Sequence, residues 1–221
     1  MEDYIKLAKI SYTYPKGKFG LQDIDLNLRR GEITGISGHN GSGKTTLGKV
    51  IMGILMPDSG ELYIDGIDGR DLKLWKRGSK IGYVFQNPDR QLFAATVLDE
   101  IIFPLEIKGV EKKEALECAM ALLERFKLTH LKNKVPMRLS RGEKQRLVLA
   151  AVLAQQPGYL MLDEPSSGLD RDRKNELYQL LQELRHDGTG IAVISHDQPF
   201  INDQTDRVIK MEDGRIVENG C

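Results

Sequence analysis

The sequence predicts an α/β fold with a mostly parallel central sheet and a helical subdomain inserted part-way along the chain. Three observations predict it. The runs Gly158-Tyr-Leu-Met-Leu162 and Ile191-Ala-Val-Ile-Ser195 are short and nearly all apolar, the pattern of strands covered on both faces. The apolar run Ile33-Thr-Gly-Ile-Ser37 passes through a glycine-rich loop into a helix that opens at about Gly43, a strand–loop–helix order typical of parallel sheets. Between Asn87 and Arg138 helical patterns dominate.

Each element follows from its own pattern. Residues 4–14 alternate in part and residues 21–28 more cleanly, with Leu21, Ile24, Leu26 and Leu28 apolar, so both read as strands. Gly31 marks a turn before the strand 33–37. Pro57-Asp-Ser-Gly60 closes the first helical region, and Leu62 and Ile64 alternate in a strand that ends at Asp65-Gly66. Ile81 to Phe85 is a further strand. Glu111 to Phe126 predicts an amphipathic helix with Ala115, Ala119, Leu122, Leu123 and Phe126 on one face. Leu177, Leu180, Leu181 and Leu184 give another, stopped by Gly188. Residues 208–211 and 215–217 flank Glu212-Asp-Gly214 as a closing hairpin. No internal repeat or low-complexity segment interrupts the chain.

The 221 residues suffice for one large domain, or one core with a grafted subdomain. Apolar residues are 40% and charged residues 29%, as in a folded globule, and Lys+Arg and Asp+Glu are both 32. The zero net charge argues against a nucleic-acid partner. Cys118 and Cys221 have no metal-site spacing and form no disulfide framework, which suggests a reducing cytosol. Met1-Glu2-Asp3-Tyr4 does not open a signal peptide, and no run approaches the roughly 20 apolar residues of a membrane span. Any membrane role would come through a partner.

Two motifs carry chemistry. Gly38-His39-Asn40-Gly41-Ser42-Gly43-Lys44-Thr45, followed by Thr46, has the G-x-x-x-x-G-K-[ST] pattern between strand and helix. Its glycines let the backbone curl so that N–H groups face phosphate, and the helix N-terminus adds partial positive charge. All nine residues are candidate nucleotide contacts: Lys44 would neutralise the β- and γ-phosphates and the Thr45 hydroxyl would ligate Mg²⁺. Leu160-Met-Leu-Asp163-Glu164-Pro165 is a buried strand ending in two acids. At the C-terminal edge of a parallel sheet they suit a metal anchor, Asp163, and a group that orients the attacking water, Glu164. A third stretch, Leu139-Ser140-Arg141-Gly142-Glu143-Lys144-Gln145-Arg146, is on its own a capping box, S-x-x-E, before an apolar helix.

Taken in order, the phosphate loop, Gln86, this stretch, Asp163-Glu164 and His196 resemble the ABC ATPase family over nearly the whole chain. The resemblance implies a P-loop NTPase core with an N-terminal antiparallel β subdomain and an inserted α-helical subdomain. The core would be residues 1–86 and 157–221, and residues 87–156 would be the helical subdomain. It implies ATP and Mg²⁺ as ligands, with ATP hydrolysis in a dimer of ATPase subunits. Ser140, Gly142 and Glu143 match the family signature, usually Leu-Ser-Gly-Gly-Gln, which caps the nucleotide held by the other subunit. Arg141 stands where the family has its first glycine, and Glu143 where it has glutamine. Asp170, in Ser166-Ser-Gly-Leu-Asp170, would face the partner subunit. Gln86 would touch Mg²⁺ and water and begin the link to the membrane partner. His196 would contact the γ-phosphate. Tyr14 would stack on adenine; Tyr12 is the competing choice, and Tyr14 is preferred because it directly precedes Pro15.

The segment Gln86-Asn-Pro-Asp-Arg-Gln91-Leu-Phe93 looks like that of energy-coupling factor (ECF) transporter ATPases. This implies import of a vitamin or transition-metal ion, a second ATPase subunit, a transmembrane coupling protein and a substrate-binding membrane protein. The subunit would sit peripherally at the cytoplasmic face of the membrane. Leu92, Phe93, Val97, Ile101 and Phe103 either line a groove for coupling helices or form the insert's own core. Many ATPases of this subgroup carry an extra C-terminal segment, so an end at Cys221 implies a compact member or a truncated chain. The competing readings are the ATPase of a conventional importer or exporter, and a soluble ABC protein outside transport.

Overall fold

The computed structural model describes residues 3–15, 17 and 19–220; Cys221 lies outside them. The elements run β1 (Asp3–Thr13), β2 (Gly20–Arg29), β3 (Ile33–Ser37), α1 (Lys44–Ile51), β4 (Ser59–Ile64), β5 (Ile67–Asp68), α2 (Leu74–Lys80), β6 (Ile81–Val84), α3 (Val97–Ile107), α4 (Lys112–Arg125), α5 (Arg141–Ala154), β7 (Tyr159–Asp163), α6 (Arg171–His186), β8 (Gly190–Ile194), α7 (Gln198–Gln204), β9 (Arg207–Glu212) and β10 (Arg215–Gly220). They fall into two compact units, one up to Tyr83 together with the chain from Gly158 onward, the other Val84–Pro157.

The first unit contains two sheets. One has four strands in the order β2-β1-β4-β5, antiparallel throughout. β1 alternates only in part because bulges interrupt it: its register on β2 shifts between Leu7 and Ile10, and Lys9 and Asp23 take left-handed backbone at φ 49° and 47°. Ile5, Leu7, Ile10, Ile24, Leu26 and Leu28 nevertheless all face the core.

The second sheet has six strands, β10-β9-β3-β8-β7-β6. β3 runs parallel to β8 and β9, β7 runs parallel to β8, and β10 returns antiparallel on β9. β3, β7 and β8 are buried along their whole length, as their all-apolar patterns predict. The pairs Ile36↔Ile194 and Asp163↔Ile194 bring the C-terminal ends of these three strands level. The residues after those ends, in the phosphate loop, at 164 and at 196, therefore share one edge of the sheet.

Two helices of this unit escape the sequence patterns. α7 carries the buried Phe200 and Ile201 and packs on β3, where a β-carbon at Gly35 would meet the Ile201 side chain at 2.8 Å. α2 has few apolar residues; its anchor is Arg77, only 4% exposed. The guanidinium donates to the carbonyls of Leu72 (3.3 Å), Val50 (3.4 Å), Ile51 (3.1 Å) and Gly69. Val50 and Ile51 end α1, so a cation sits at the negative end of that helix. Burial holds the pKa of Arg77 below its usual value, with Asp68 pulling the other way.

The second unit is helical. Thr96 caps α3 by accepting from Asp99 N at 3.1 Å. α3 packs on α4 and α5 around Val97, Ile101, Leu105, Ala115, Ala119, Leu123, Leu147 and Ala150, all at 5% exposure or less. Leu92, Val97 and Ile101 thus belong to the unit's own core. Phe93 and Phe103 are exposed and meet edge to face at 4.9 Å. The buried Glu100 carboxylate holds the loop that carries Phe93, accepting from Phe93 N at 3.0 Å and Ala94 N at 2.9 Å.

Candidate functional site

The glycine-rich loop closes on itself. Gly38 and Gly43 take φ 146° and 105°. A β-carbon at Gly38 would come within 2.2 Å of the Met211 carbonyl, so a side chain there is excluded. Lys44 opens α1, and its ammonium donates to the carbonyls of Gly38 (2.8 Å) and His39 (2.9 Å) and to Ser42 Oγ (3.3 Å). Burial lowers the Lys44 pKa, opposed by the charges of Glu164 and Asp163. Ser42 is fully buried, whereas His39, Asn40 and Gly41 are exposed. Thr46 and Tyr14 meet hydroxyl to hydroxyl at 3.2 Å. Tyr14 is partly exposed and Tyr12 is buried beneath it, ring edge to face at 5.0 Å. Of the two tyrosines, Tyr14 is the one with a face open beside the loop.

Across the sheet edge, Thr45 Oγ1 donates to Asp163 Oδ2 at 3.1 Å, and Tyr83 Oη donates to the same oxygen at 3.3 Å. Asp163 is 5% exposed. Burial raises its pKa above the usual carboxylate range, against the hydrogen bonds from Thr45 and Tyr83 and the charge of Lys44. Glu164 leaves the strand in left-handed backbone at φ 52°, its N–H bonded to the Ile194 carbonyl at 2.8 Å. Its Oε2 lies 2.8 Å from His196 Nδ1, with the glutamate side chain 11% exposed and the histidine 68%. Lys44, Thr45, Asp163, Glu164 and His196 thus meet at one sheet edge. A lysine, a hydroxyl, two carboxylates and an imidazole gathered at a helix N-terminus can hold a polyphosphate and its cation and direct a water at it.

Asp170 is engaged locally. It caps α6, accepting from Arg173 N at 3.0 Å, and pairs with the Arg173 guanidinium at 3.3 Å. In the helical unit Ser140 and Glu143 form a complete capping box on α5: Ser140 N donates to Glu143 Oε2 at 2.7 Å and Glu143 N to Ser140 Oγ at 3.4 Å. The bond from Ser140 holds the Glu143 carboxyl below its usual pKa. The acid therefore turns back on its own helix. Gly142 is buried and Arg141 is exposed. Gln86 is exposed in the loop beyond β6, in the same unit as the signature stretch. Sequence reasoning missed Tyr83. The strand 81–85 was legible, but no motif marks a tyrosine within it.

A family model described as ABC transporter matches residues 21–167. The chain belongs to the ABC transporter family. This ABC ATPase is 38% identical over 224 residues to the energy-coupling factor transporter ATP-binding protein EcfA1 of Lacticaseibacillus paracasei, covering 100% of this chain and 80% of that one. It is 37% identical to the EcfA protein of Methanothermobacter thermautotrophicus over 98% of this chain and 70% of that one. Other relatives are longer: it spans 37% of a putative ABC transporter ATP-binding protein of Caldanaerobacter subterraneus, at 36% identity over 96% of this chain. Among solved structures, cbiO1 of Clostridium perfringens, part of the cbiONQ ABC transporter complex, superposes with a TM-score of 0.89 at 36% identity, covering 99% of this chain and 89% of that one. A dimeric ATP-binding cassette in a post-hydrolysis state with ADP and Pi gives 0.88 at 31% identity, covering 97% of each chain. The ABC ATPase is thus the ATP-hydrolysing subunit of a transporter. No helix among its described residues is long and apolar enough to cross a membrane.

Proposed function

We propose that this ABC ATPase grips MgATP between its phosphate loop and the Asp163-Glu164 edge, and that the hydrolysis drives an ECF-type importer of a vitamin or transition-metal ion. The observation that carries the site is the meeting of Thr45 with Asp163 at 3.1 Å beside Glu164 and His196 at 2.8 Å. Lys44 would exchange its contacts with the Gly38 and His39 carbonyls for β,γ-phosphate oxygens. Tyr14 would stack on the adenine. Glu164 would hold the attacking water in line, and His196 would steady the γ-phosphate while keeping Glu164 oriented.

The residues fit Mg²⁺. Thr45 and Asp163 supply hard oxygen ligands side by side, and Gln86 would add a third. Among the described residues no group of three or more His, Cys, Asp or Glu is gathered as a cage, so most of the cation's shell would come from phosphate and water, as Mg²⁺ prefers. Bound there, the cation would neutralise charge on the β,γ-phosphates. No geometry beyond the Thr45–Asp163 pair is needed for this assignment.

Ser140 and Gly142, at the N-terminus of α5, would complete the site of a second ATPase subunit, identical or related, with Asp170 at the seam. The nucleotide core would be the unit up to Tyr83 together with the chain from Gly158 onward, and Val84–Pro157 the helical subdomain with the signature. A transmembrane coupling protein and a substrate-binding membrane protein would complete the complex, with this subunit peripheral on the cytoplasmic face. Two lines support the ECF assignment: relatives named for energy-coupling factor transport, and the Gln86-Asn-Pro-Asp-Arg-Gln-Leu-Phe segment, whose exposed Phe93 packs on Phe103.

Glu164→Gln tests the reading. It keeps size and backbone while removing the negative charge that polarises water. Phosphate release should fall by about 10²–10⁴-fold, while ATP-dependent dimers persist on size exclusion. Unchanged phosphate release refutes the role. Co-purification with native membrane partners, identified by mass spectrometry, tests the transporter class.

A further inference from the structure

We propose that Tyr83 is a positioning residue for the cation-binding carboxylate, fixing Asp163 from the neighbouring strand while the opposite carboxylate oxygen stays available to Mg²⁺ or its water. The inference rests on the reading of Asp163 as the cation's anchor.

Three observations carry it. First, Tyr83 on β6 and Asp163 on β7 belong to adjacent strands of the sheet, and the phenol donates to Asp163 Oδ2 at 3.3 Å. Second, that oxygen also accepts from Thr45 Oγ1 at 3.1 Å. Both donors therefore lie on one oxygen, Oδ2. A hydroxyl can donate its proton to Oδ2 while a lone pair on its own oxygen faces a cation, so Thr45 can serve both, and Tyr83 adds a second donor to Oδ2 from the adjacent strand. With both donors on Oδ2, the carboxylate's angle is fixed from two elements and the opposite oxygen is left for the cation or its water. Third, the ring is 6% exposed and sits in a notch cut by a glycine of α1. A β-carbon at Gly48 would lie 2.9 Å from Tyr83 Oη and 3.1 Å from the ring. Gly48 thus admits a phenol between α1 and β7, at the height where its hydroxyl reaches Asp163.

A buried phenol needs an acceptor in any case, so simple satisfaction of Tyr83 is the rival account. The two accounts differ in what the hydroxyl does for metal affinity. Partners that orient a metal ligand change affinity by about 10–100-fold when removed, whereas a hydroxyl that only satisfies itself leaves it unchanged.

The test is a Mg²⁺ titration of fluorescent ATP-analogue binding to the purified chain, with a parallel nucleotide titration in EDTA. Tyr83→Phe removes one oxygen and keeps the ring. It should raise the Mg²⁺ concentration for half-maximal binding by about tenfold, with nucleotide affinity in EDTA unchanged. Gly48→Ala, whose β-carbon would stand 2.9 Å from the hydroxyl and displace it without removing it, should move the Mg²⁺ midpoint in the same direction. An unchanged midpoint in Tyr83→Phe overturns the proposal. So does an equal loss of affinity in EDTA, because that is the signature of packing alone. A wild-type protein whose nucleotide binding ignores Mg²⁺ would overturn the anchor reading of Asp163 first, and this inference with it. That result appears in the wild type before any variant is made.

Discussion

Arg77→Met removes a buried cation whose described hydrogen bonds all go to carbonyls of the backbone. Methionine fills much of the same volume, so the change isolates the guanidinium. Four acceptors are involved: Ile51 O at 3.1 Å, Leu72 O at 3.3 Å, Val50 O at 3.4 Å and Gly69 O. Val50 O and Gly69 O keep second donors in Gly53 N and Leu72 N, at 2.9 and 3.2 Å, so the loss concentrates on Ile51 and Leu72. Hydrogen bonds from a charged donor are each worth about 1.5–3 kcal/mol, and part of this is offset by no longer burying the charge. The balance is a destabilisation of about 3 kcal/mol. For a domain of this size each kcal/mol lowers the melting temperature by about 2–4 °C, giving a fall of about 6–12 °C in a calorimetric or fluorescence melt. Arg77→Lys should lose about half as much, because an ammonium cannot span acceptors that a planar guanidinium reaches together. A fall of less than about 2 °C for Arg77→Met would show that the carbonyls find other donors, and would refute the claim that this arginine fastens the end of α1.

Asp163 gives a prediction whose sign depends on pH. Burial raises its pKa in the folded protein, so the folded state binds the proton more tightly than the unfolded one. Its contribution to stability is fullest below the unfolded value and is lost as pH rises through the folded value. Asp163→Asn should therefore raise the melting temperature at neutral pH, with the gain shrinking as the buffer is made acid, while Mg²⁺-dependent nucleotide binding disappears. A variant that melts below wild type at pH 7 contradicts this. Tyr14→Ala should weaken nucleotide binding by about 1–3 kcal/mol of stacking in a calorimetric titration and leave the melt nearly unmoved. Tyr12→Ala should do the reverse, costing about 3 kcal/mol of stability because its ring is buried.

The parts of the fold that were legible were those whose burial is periodic or complete. β3, β7 and β8 are interior on both faces, so their sequences are apolar throughout and name themselves. The phosphate loop was legible because only glycine satisfies Gly38, where a side chain would strike the Met211 carbonyl. Glu143 shows how far a local rule reaches. The S-x-x-E spacing predicted a capping box, and the bond from Ser140 N to Glu143 at 2.7 Å is that box. α2 and α7 were not legible because each is anchored by a few contacts: Arg77 on distant carbonyls, Phe200 and Ile201 on β3. Tyr83 was hidden for a similar reason. Its hydroxyl matters through Asp163, a residue 80 positions away, and no pattern within its own strand records that.

Glu164 sits where glycine is at ease and a side chain is not, at φ 52° and tied to Ile194. A glutamate in that conformation costs on the order of 1 kcal/mol, and the strain is met once, when the sheet assembles. The backbone that carries the carboxylate proposed to direct water is thereby set before any nucleotide arrives. A catalytic cycle inherits that alignment instead of rebuilding it, so relaxing the backbone at this one position would make a sturdier protein and a slower motor.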